Sequence, residues 1–290
     1  MMRTLDSTDL AARALAQAEA AADRAGIDVA FVDEPKPIKQ VSALFNEVWG
    51  TDPESAILPV GVLRALVHAG NYAAAAYRDG EMVGAVVGFL GQDAWGPYLH
   101  SHILGVPASK QGANVGFALK LHQRAWSLSI GLYKVTWTFD PLVRKNAFFN
   151  LQKLGANAGQ YYENFYGAMA DEINAGDESD RVLIVWDLDD ERASRAADTT
   201  LPEPESNGTG IALAERADGE PEVRIASGPT ILCQTPTDIV TLRRTDPQRA
   251  LRWRRALRET LGAYMNDGYS VSGFTRSGLY VLNNDGDAHA

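Results

Sequence analysis

The sequence predicts an α+β chain: a mixed, mostly antiparallel sheet covered by helices, followed by a smaller α+β region. Three observations carry this expectation. Two apolar runs, at residues 72–77 and 82–90, flank the turn Arg78-Asp79-Gly80, which is the signature of an antiparallel hairpin. A strand pattern ending near Val106, a helical pattern over 116–130 and a strand pattern over 133–139 then follow one another, and such a step requires a parallel pair. Finally, a polar stretch over 189–210, bearing Pro202 and Pro204, separates these elements from the rest of the chain.

Taken in order, the residues after Ser7 form a helical pattern capped by Ser7, Thr8 or Asp9 and ended near Gly26. A short strand follows at 28–32. Val41, Leu44, Phe45 and Val48 fall on one face of a helix over 38–49, and a second helix over 60–69 closes at Gly70. After the hairpin, a third strand is expected over 98–106. The helix over 116–130 places Leu119, His122, Trp126 and Ser129 on one line, with Lys120 and Arg124 elsewhere. Residues 133–139 are β-branched and aromatic, and Asp140-Pro141 ends them. A helix over 142–154 closes at Gly155, and strands near 160–165 and 182–188 complete this half. Beyond the polar stretch come strands near 223–225 and 230–233, a helix opened by Asp246-Pro247, and strands at 269–274 and 279–282. No internal repeat is evident.

Composition excludes several function classes. At 290 residues the chain is long for one domain, short for three, and able to bury a sizeable core. A net charge of −10 argues against general affinity for nucleic acid or anionic membranes. The single cysteine, Cys233, excludes an internal disulfide and fits a reducing compartment. Asp6, Asp9, Glu19 and Asp23 interrupt the Ala-rich start, which therefore resembles neither a secretory nor a transit segment. No apolar run reaches the roughly 18 residues of a membrane span. A cytoplasmic location is expected, with neither nucleic acid nor membrane as partner.

The segment from Ile103 to Lys120 joins a strand, a turn of small residues and a helix. A helix start presents unpaired N–H groups and partial positive charge, and small residues let a phosphate approach the backbone. The segment lacks the Lys-Ser/Thr ending of a phosphate loop and the Gly-x-Gly-x-x-Gly of a dinucleotide fold. It does resemble motif A of the GNAT superfamily of N-acetyltransferases, Gln/Arg-x-x-Gly-x-Gly/Ala. Gln111 matches the first position and Gly116 the last. Asn114 replaces the middle glycine and is the residue type that best tolerates a left-handed backbone. Downstream, Asn146, Ala147 and the closing Lys153-Leu154-Gly155 resemble motif B of the same superfamily. Residues 35–190 thus resemble one GNAT domain. Residues 1–34 precede it as a helix and strand, 191–210 form a linker, and 211–290 form an extra C-terminal region, as in a bacterial subgroup.

The resemblance implies a splayed central pair of parallel strands, ending at Val106 and Phe139, with acetyl-CoA or another acyl-CoA between them as co-substrate. The backbone of Leu104, Gly105 and Val106 would lie along the pantetheine. The N–H groups of Gln111, Gly112, Ala113, Asn114, Val115 and Gly116 would hold the pyrophosphate. Asn146 and Phe149 would sit beside the pantetheine or thioester. The implied activity is direct acyl transfer to a small amine or amino-acid-like acceptor, and association as a homodimer is left open.

Such transfer needs a base for the ammonium and an acid for the thiolate. The tyrosine that the family often carries in motif B is missing, its place taken by Asn150 or Leu151. Tyr161, Tyr162 and Tyr166 are nearby in sequence, with Tyr166 the substitute considered. His100 and His102 alternate on one strand and so share a face. They suit either a base, His102 above all, or a hydrogen-bonded structural pair. Asp140 at the strand end and Glu47 on a helix are further catalytic candidates. No metal site is expected.

Arg243, Arg244, Arg249, Arg252, Arg254, Arg255 and Arg258 make the C-terminal helix basic, for anion recognition or for pairing with the chain's own carboxylates. A non-catalytic acyl-CoA-binding protein with a regulatory role is the alternative function, favoured by the missing tyrosine.

Overall fold

The computed structural model of the chain describes residues 7–112, 114–167, 177–206 and 210–284. In chain order the elements are α1 (Ser7–Ala25), β1 (Asp28–Phe31), α2 (Pro35–Trp49), α3 (Val60–His68), β2 (Ala73–Arg78), β3 (Glu81–Asp93), β4 (Gly96–Gly105), α4 (Val115–Ser129) and β5 (Lys134–Phe139). Then follow α5 (Arg144–Phe148), a π-helical turn at Phe149–Lys153, β6 (Asn157–Tyr162), β7 (Arg181–Asp187), α6 (Glu191–Asp198), β8 (Gly210–Glu215), β9 (Pro221–Val223) and β10 (Thr230–Gln234). The chain closes with α7 (Ile239–Thr245), α8 (Pro247–Leu257), a π-helical turn at Arg258–Gly262, α9 (Ala263–Asn266), β11 (Tyr269–Phe274) and β12 (Leu279–Asn284). This is an α+β fold with both parallel and antiparallel strands. Two compact units divide it, Met1–Trp137 with Trp186–Asp198, and Thr138–Val185 with Thr199–Ala290.

In the first unit the strands run in the order β1-β2-β3-β4-β5. The β2–β3 hairpin turns on Asp79 and Gly80, both at positive φ (52° and 79°), which gives the tight turn whose twist matches its strands. Leu10, Ala14, Ala18, Ala21 and Ala25 form the buried stripe of α1, and their small side chains let it pack closely on α4. Ile38, Val41, Leu44 and Phe45 of α2 meet Ala73, Ala75, Ala85, Val87 and Ile103 of the sheet. Each large side chain so buried contributes about 1.5–3 kcal/mol. Helix α6 occupies part of the stretch expected to be a linker, because Ala193, Ala196 and Ala197 are buried and Gln17 Nε2 donates to Ser194 O at 3.0 Å.

The second unit holds the antiparallel pair β6–β7 and a five-stranded sheet ordered β11-β12-β10-β8-β9, in which only the β10–β8 pair is parallel. Strand β8 was not expected from the sequence: only Gly210 falls in the expected linker, and residues 211–215, at the start of the expected C-terminal region, were given no element. One side of the basic C-terminal helix faces inward, while Arg252 and Arg255 stay exposed. Arg254 is fully buried and donates to Asp140 (2.8 and 2.9 Å) and Asp177 (2.9 Å), while Arg243 also binds both carboxylates. Arg258 pairs with Asp180 and Glu178. Several of the arginines therefore pair with the chain's own carboxylates rather than with an external anion. Among the described residues, no helix is long and apolar enough to cross a membrane.

Burial raises the pKa of Asp140, but Arg254 and Arg243 outweigh it and hold the carboxyl well below the usual range. Asp140→Asn leaves Arg254 without one of its counter-charges and is expected to cost about 3–5 kcal/mol in chemical denaturation. A depressed carboxylate stabilises the fold above its ordinary pKa, and that contribution fades in acid. The variant's deficit is therefore expected to narrow as pH falls below about 4.

Candidate functional site

The site is built on the passage from β4 into α4. Pro107 ends the extended backbone, a 3-10 turn at Ala108–Lys110 follows, and Gln111 Nε2 donates back to Val106 O at 3.1 Å, closing the loop on itself. Gly112 has φ 96°, and a Cβ placed there would meet nothing within 4 Å, so the loop leaves open space at that point. Asn114 is left-handed (φ 58°, ψ 19°) immediately before the first turn of α4, where the leading N–H groups of a helix have no partner within it. Ala113 lies outside the described residues. Val115 is buried, and Gly116 packs near Leu104, whose Cδ2 lies 3.4 Å from where its Cβ would be. Leu104 and Val106 thus face α4. Gly105 faces α2, where a Cβ would lie 2.9 Å from Phe45 and 3.0 Å from Trp49.

Strands β4 and β5 pair in parallel at Leu99↔Val135 and His100↔Thr136, and among the described residues their ladder ends there. Yet β4 runs on to Gly105. Its pairing with β3 also shifts register between Val87↔Ile103 and Phe89↔His100, so β4 carries an extra residue at Ser101–His102. The bulge twists β4 at the point where it parts from β5.

Directly past the last pair lies Lys120 of α4. Its Nζ donates to Ser101 Oγ (2.7 Å) and Gln123 Oε1 (3.2 Å) and stands 3.7 Å from the centre of the Trp137 ring. The side chain is buried, and burial pushes its pKa well below that of an ordinary lysine. The sequence placed Lys120 off the apolar line of its helix, but α4 is buried on several faces, since Gln123, Arg124 and Ser127 are also covered.

His100 and His102 lie together, ring centres 6.5 Å apart, both against Phe89. His100 Nδ1 is 3.2 Å from Thr136 Oγ1. Burial, then the neighbouring charges of His102 and Lys120, lower the pKa of His100 to about 4. His102 has its surface open to solvent, yet the protein crowding its ring still lowers its pKa. Both imidazoles are therefore neutral at physiological pH. Glu47 is exposed on α2.

The other candidates belong to the second unit. Asp140 is locked between Arg243 and Arg254, and a carboxylate so held does not take up a proton near neutral pH, which removes it from the candidate bases. Tyr166 is half exposed, its hydroxyl 3.1 Å from Thr138 Oγ1 and Arg181 over its ring. Asn146 is exposed and Phe149 half-buried at the end of α5. Tyr161 donates to Asp180 at 2.7 Å and is structural. Burial pushes the Cys233 thiol up to about 12, leaving it inert. No group of three or more metal-binding side chains occurs among the described residues.

No protein-family model and no curated protein matches the chain. Among solved structures, Arabidopsis thaliana Naa50 in complex with the bisubstrate analogue CoA-Ac-MVNAL is 17% identical, with a TM-score of 0.44 over 55% of this chain and 97% of that one. A GNAT-family acetyltransferase from Streptococcus pneumoniae is 18% identical (TM-score 0.43; 55% and 98%). The ribosomal-protein-S18-alanine N-acetyltransferase from Escherichia coli is 10% identical (0.45; 56% and 94%). Likenesses of this size decide nothing about the chain, and the case rests on its own residues.

The left-handed Asn114 makes a direct prediction. Asn114→Gly is expected to leave stability within about 0.5 kcal/mol of the native value, whereas Asn114→Val is expected to cost about 1–2 kcal/mol, because a β-branched residue is strained at positive φ. Urea titration of both variants checks this.

Lys120 makes a second prediction. Its lowered pKa means that the unfolded chain binds the proton more tightly, so the burden on the fold eases as pH rises towards the ordinary lysine value. The melting temperature of Lys120→Met, taken relative to the native protein, is expected to be lower near pH 10 than at pH 7.

Proposed function

We propose that the chain is an acyl-CoA-dependent N-acyltransferase of the GNAT type, acting on a small amine. The observation that carries this reading is the parting of β4 from β5 just past His100↔Thr136, on the same strand that leads into the left-handed start of α4. Strand backbone beyond a terminated ladder has N–H and C=O groups to offer, and an amide-bearing arm such as pantetheine has the matching groups. The loop supplies the rest of the fit. It has open space at Gly112, helix N–H groups after Asn114, and Gly116 where the chain packs closely. Gln111, Gly112, Asn114, Val115 and Gly116 would hold the pyrophosphate, and Leu104, Gly105 and Val106 would lie along the arm. Asn146 and Phe149 are kept as contacts to its reacting end.

In direct transfer the amine nitrogen attacks the thioester carbonyl carbon, the carbon–sulfur bond breaks, and the thiol leaves with a proton. His102 is proposed as the base, because it is neutral at physiological pH and open to an acceptor. His100, hydrogen-bonded near Thr136, would set the orientation of the pair. Tyr166 is kept as the candidate acid and Glu47 as a carboxylate for the incoming ammonium. Asp140 is not kept.

A second reading, a non-catalytic acyl-CoA-binding protein, is favoured by one observation. Asn150 and Leu151, either of which takes the place of the motif B tyrosine, are both buried. Calorimetry with CoA and acetyl-CoA tests what the two readings share, and absence of heat at millimolar ligand would sink both. Release of free thiol across an amine library then separates enzyme from binder. If turnover occurs, His102→Gln is expected to lower kcat by about 10²–10⁴-fold. The native acid limb of kcat/KM is expected below pH 6.5, since the imidazole pKa is lowered, and the variant should lose it.

A further inference from the structure

Lys120 takes no part in the chemistry proposed above, yet it occupies the fork itself. The last residues to pair across β4 and β5 are His100 and Thr136, and the next residue on each strand is Ser101 and Trp137. Those two side chains are the ones that the Lys120 amine engages, at 2.7 Å to Ser101 Oγ and 3.7 Å to the Trp137 ring centre. The amine lies in a residue only 4% exposed, with no carboxylate paired to it among the described residues.

Such a site favours an apolar residue. Its neighbours on α4, Ala118, Leu119 and Leu121, are buried hydrocarbon, and a methionine would fill much the same volume without the cost of desolvating an amine. What the amine supplies is a link that hydrocarbon cannot make, a hydrogen bond to one strand and a polar contact to the face of an indole ring on the other. Two adjacent extended strands otherwise gain by continuing their ladder, since every unpaired backbone group they leave is a cost. The amine meets the side chains of Ser101 and Trp137 at the first position where the ladder does not continue, beside the extra residue of β4 at Ser101–His102.

We infer that Lys120 is a positioning residue that holds β4 and β5 apart, tying Ser101 on one strand and Trp137 on the other, and so sets the gap in which the pantetheine arm lies. The last clause rests on the acyl-CoA reading; the wedge itself does not.

The test compares the native protein with Lys120→Met and, as a milder change, Ser101→Ala. Calorimetry measures CoA against adenosine 3′-phosphate 5′-diphosphate, which carries the phosphates without the pantetheine. Hydrogen exchange follows the amides of β4 and β5. In Lys120→Met the expected results are a CoA Kd raised at least about tenfold, an unchanged Kd for the nucleotide, and slower exchange along the two strands as they zip together. Ser101→Ala should show the same pattern more weakly, and it decides the matter if the methionine variant does not fold. Native CoA affinity together with native exchange in either folded variant would overturn the wedge, as would equal loss of both ligands. If the native protein binds neither ligand, the acyl-CoA reading fails, and the exchange rates alone still decide whether Lys120 separates the strands.

Discussion

Two parallel strands that begin a ladder and abandon it set the terms for the rest of this protein. Where two strands part, the backbone groups that would have joined them must find other partners, in another strand, in water or in a ligand. Here β4 pairs with β3 on both sides of a bulge, while among the described residues its ladder with β5 ends after His100↔Thr136. The bulge at Ser101–His102 makes that possible, because one extra residue changes the twist of β4 without breaking its antiparallel partnership. The same strand then delivers the chain to Asn114, where the left-handed turn sets the start of α4. The left-handed start of α4 and the parting of β4 from β5 thus come from one continuous stretch of backbone.

The buried charges fall into two kinds. In the second unit, Asp140, Asp177, Arg243 and Arg254 neutralise one another at hydrogen-bonding distance, and the carboxylate of Asp140 is held far from any acid–base role. Buried networks of this sort are costly to disrupt and add little beyond what hydrocarbon would give. In the first unit, the buried Lys120 amine meets a hydroxyl, an amide oxygen and an indole ring, with no carboxylate paired to it among the described residues. A paired charge reads as architecture. An amine buried without a carboxylate asks for another explanation, and its place at the fork supplies one.

Much of the fold was legible because its signals are local. Asp79-Gly80 specifies a tight hairpin whatever surrounds it, the small-residue turn before Gly116 marks a helix start, and Asn114 tolerates the left-handed conformation that the turn requires. Other elements were hidden because their signals are relational. Helix α6 lies in the stretch whose polarity suggested a linker and strand β8 begins at its end, and both are held by distant residues, α6 by Gln17 and β8 by β10. The arginines showed the same ambiguity, since a basic helix reads identically whether it awaits an anion or already faces its own carboxylates.

By itself, the sequence determined the order of helices and strands from α1 to β5, the parallel step around α4, and the residue types of the loop from Gln111 to Gly116. Periodicity and turn chemistry depend on neighbours a few positions away, which is why those features can be read directly. Only the tertiary structure decided that Asp140 is spent on Arg243 and Arg254, that β4 bulges at Ser101–His102, and that Lys120 lies between Ser101 and Trp137. Each of these depends on groups brought together from separate parts of the chain, and the protonation and role of a side chain follow from the groups it meets there.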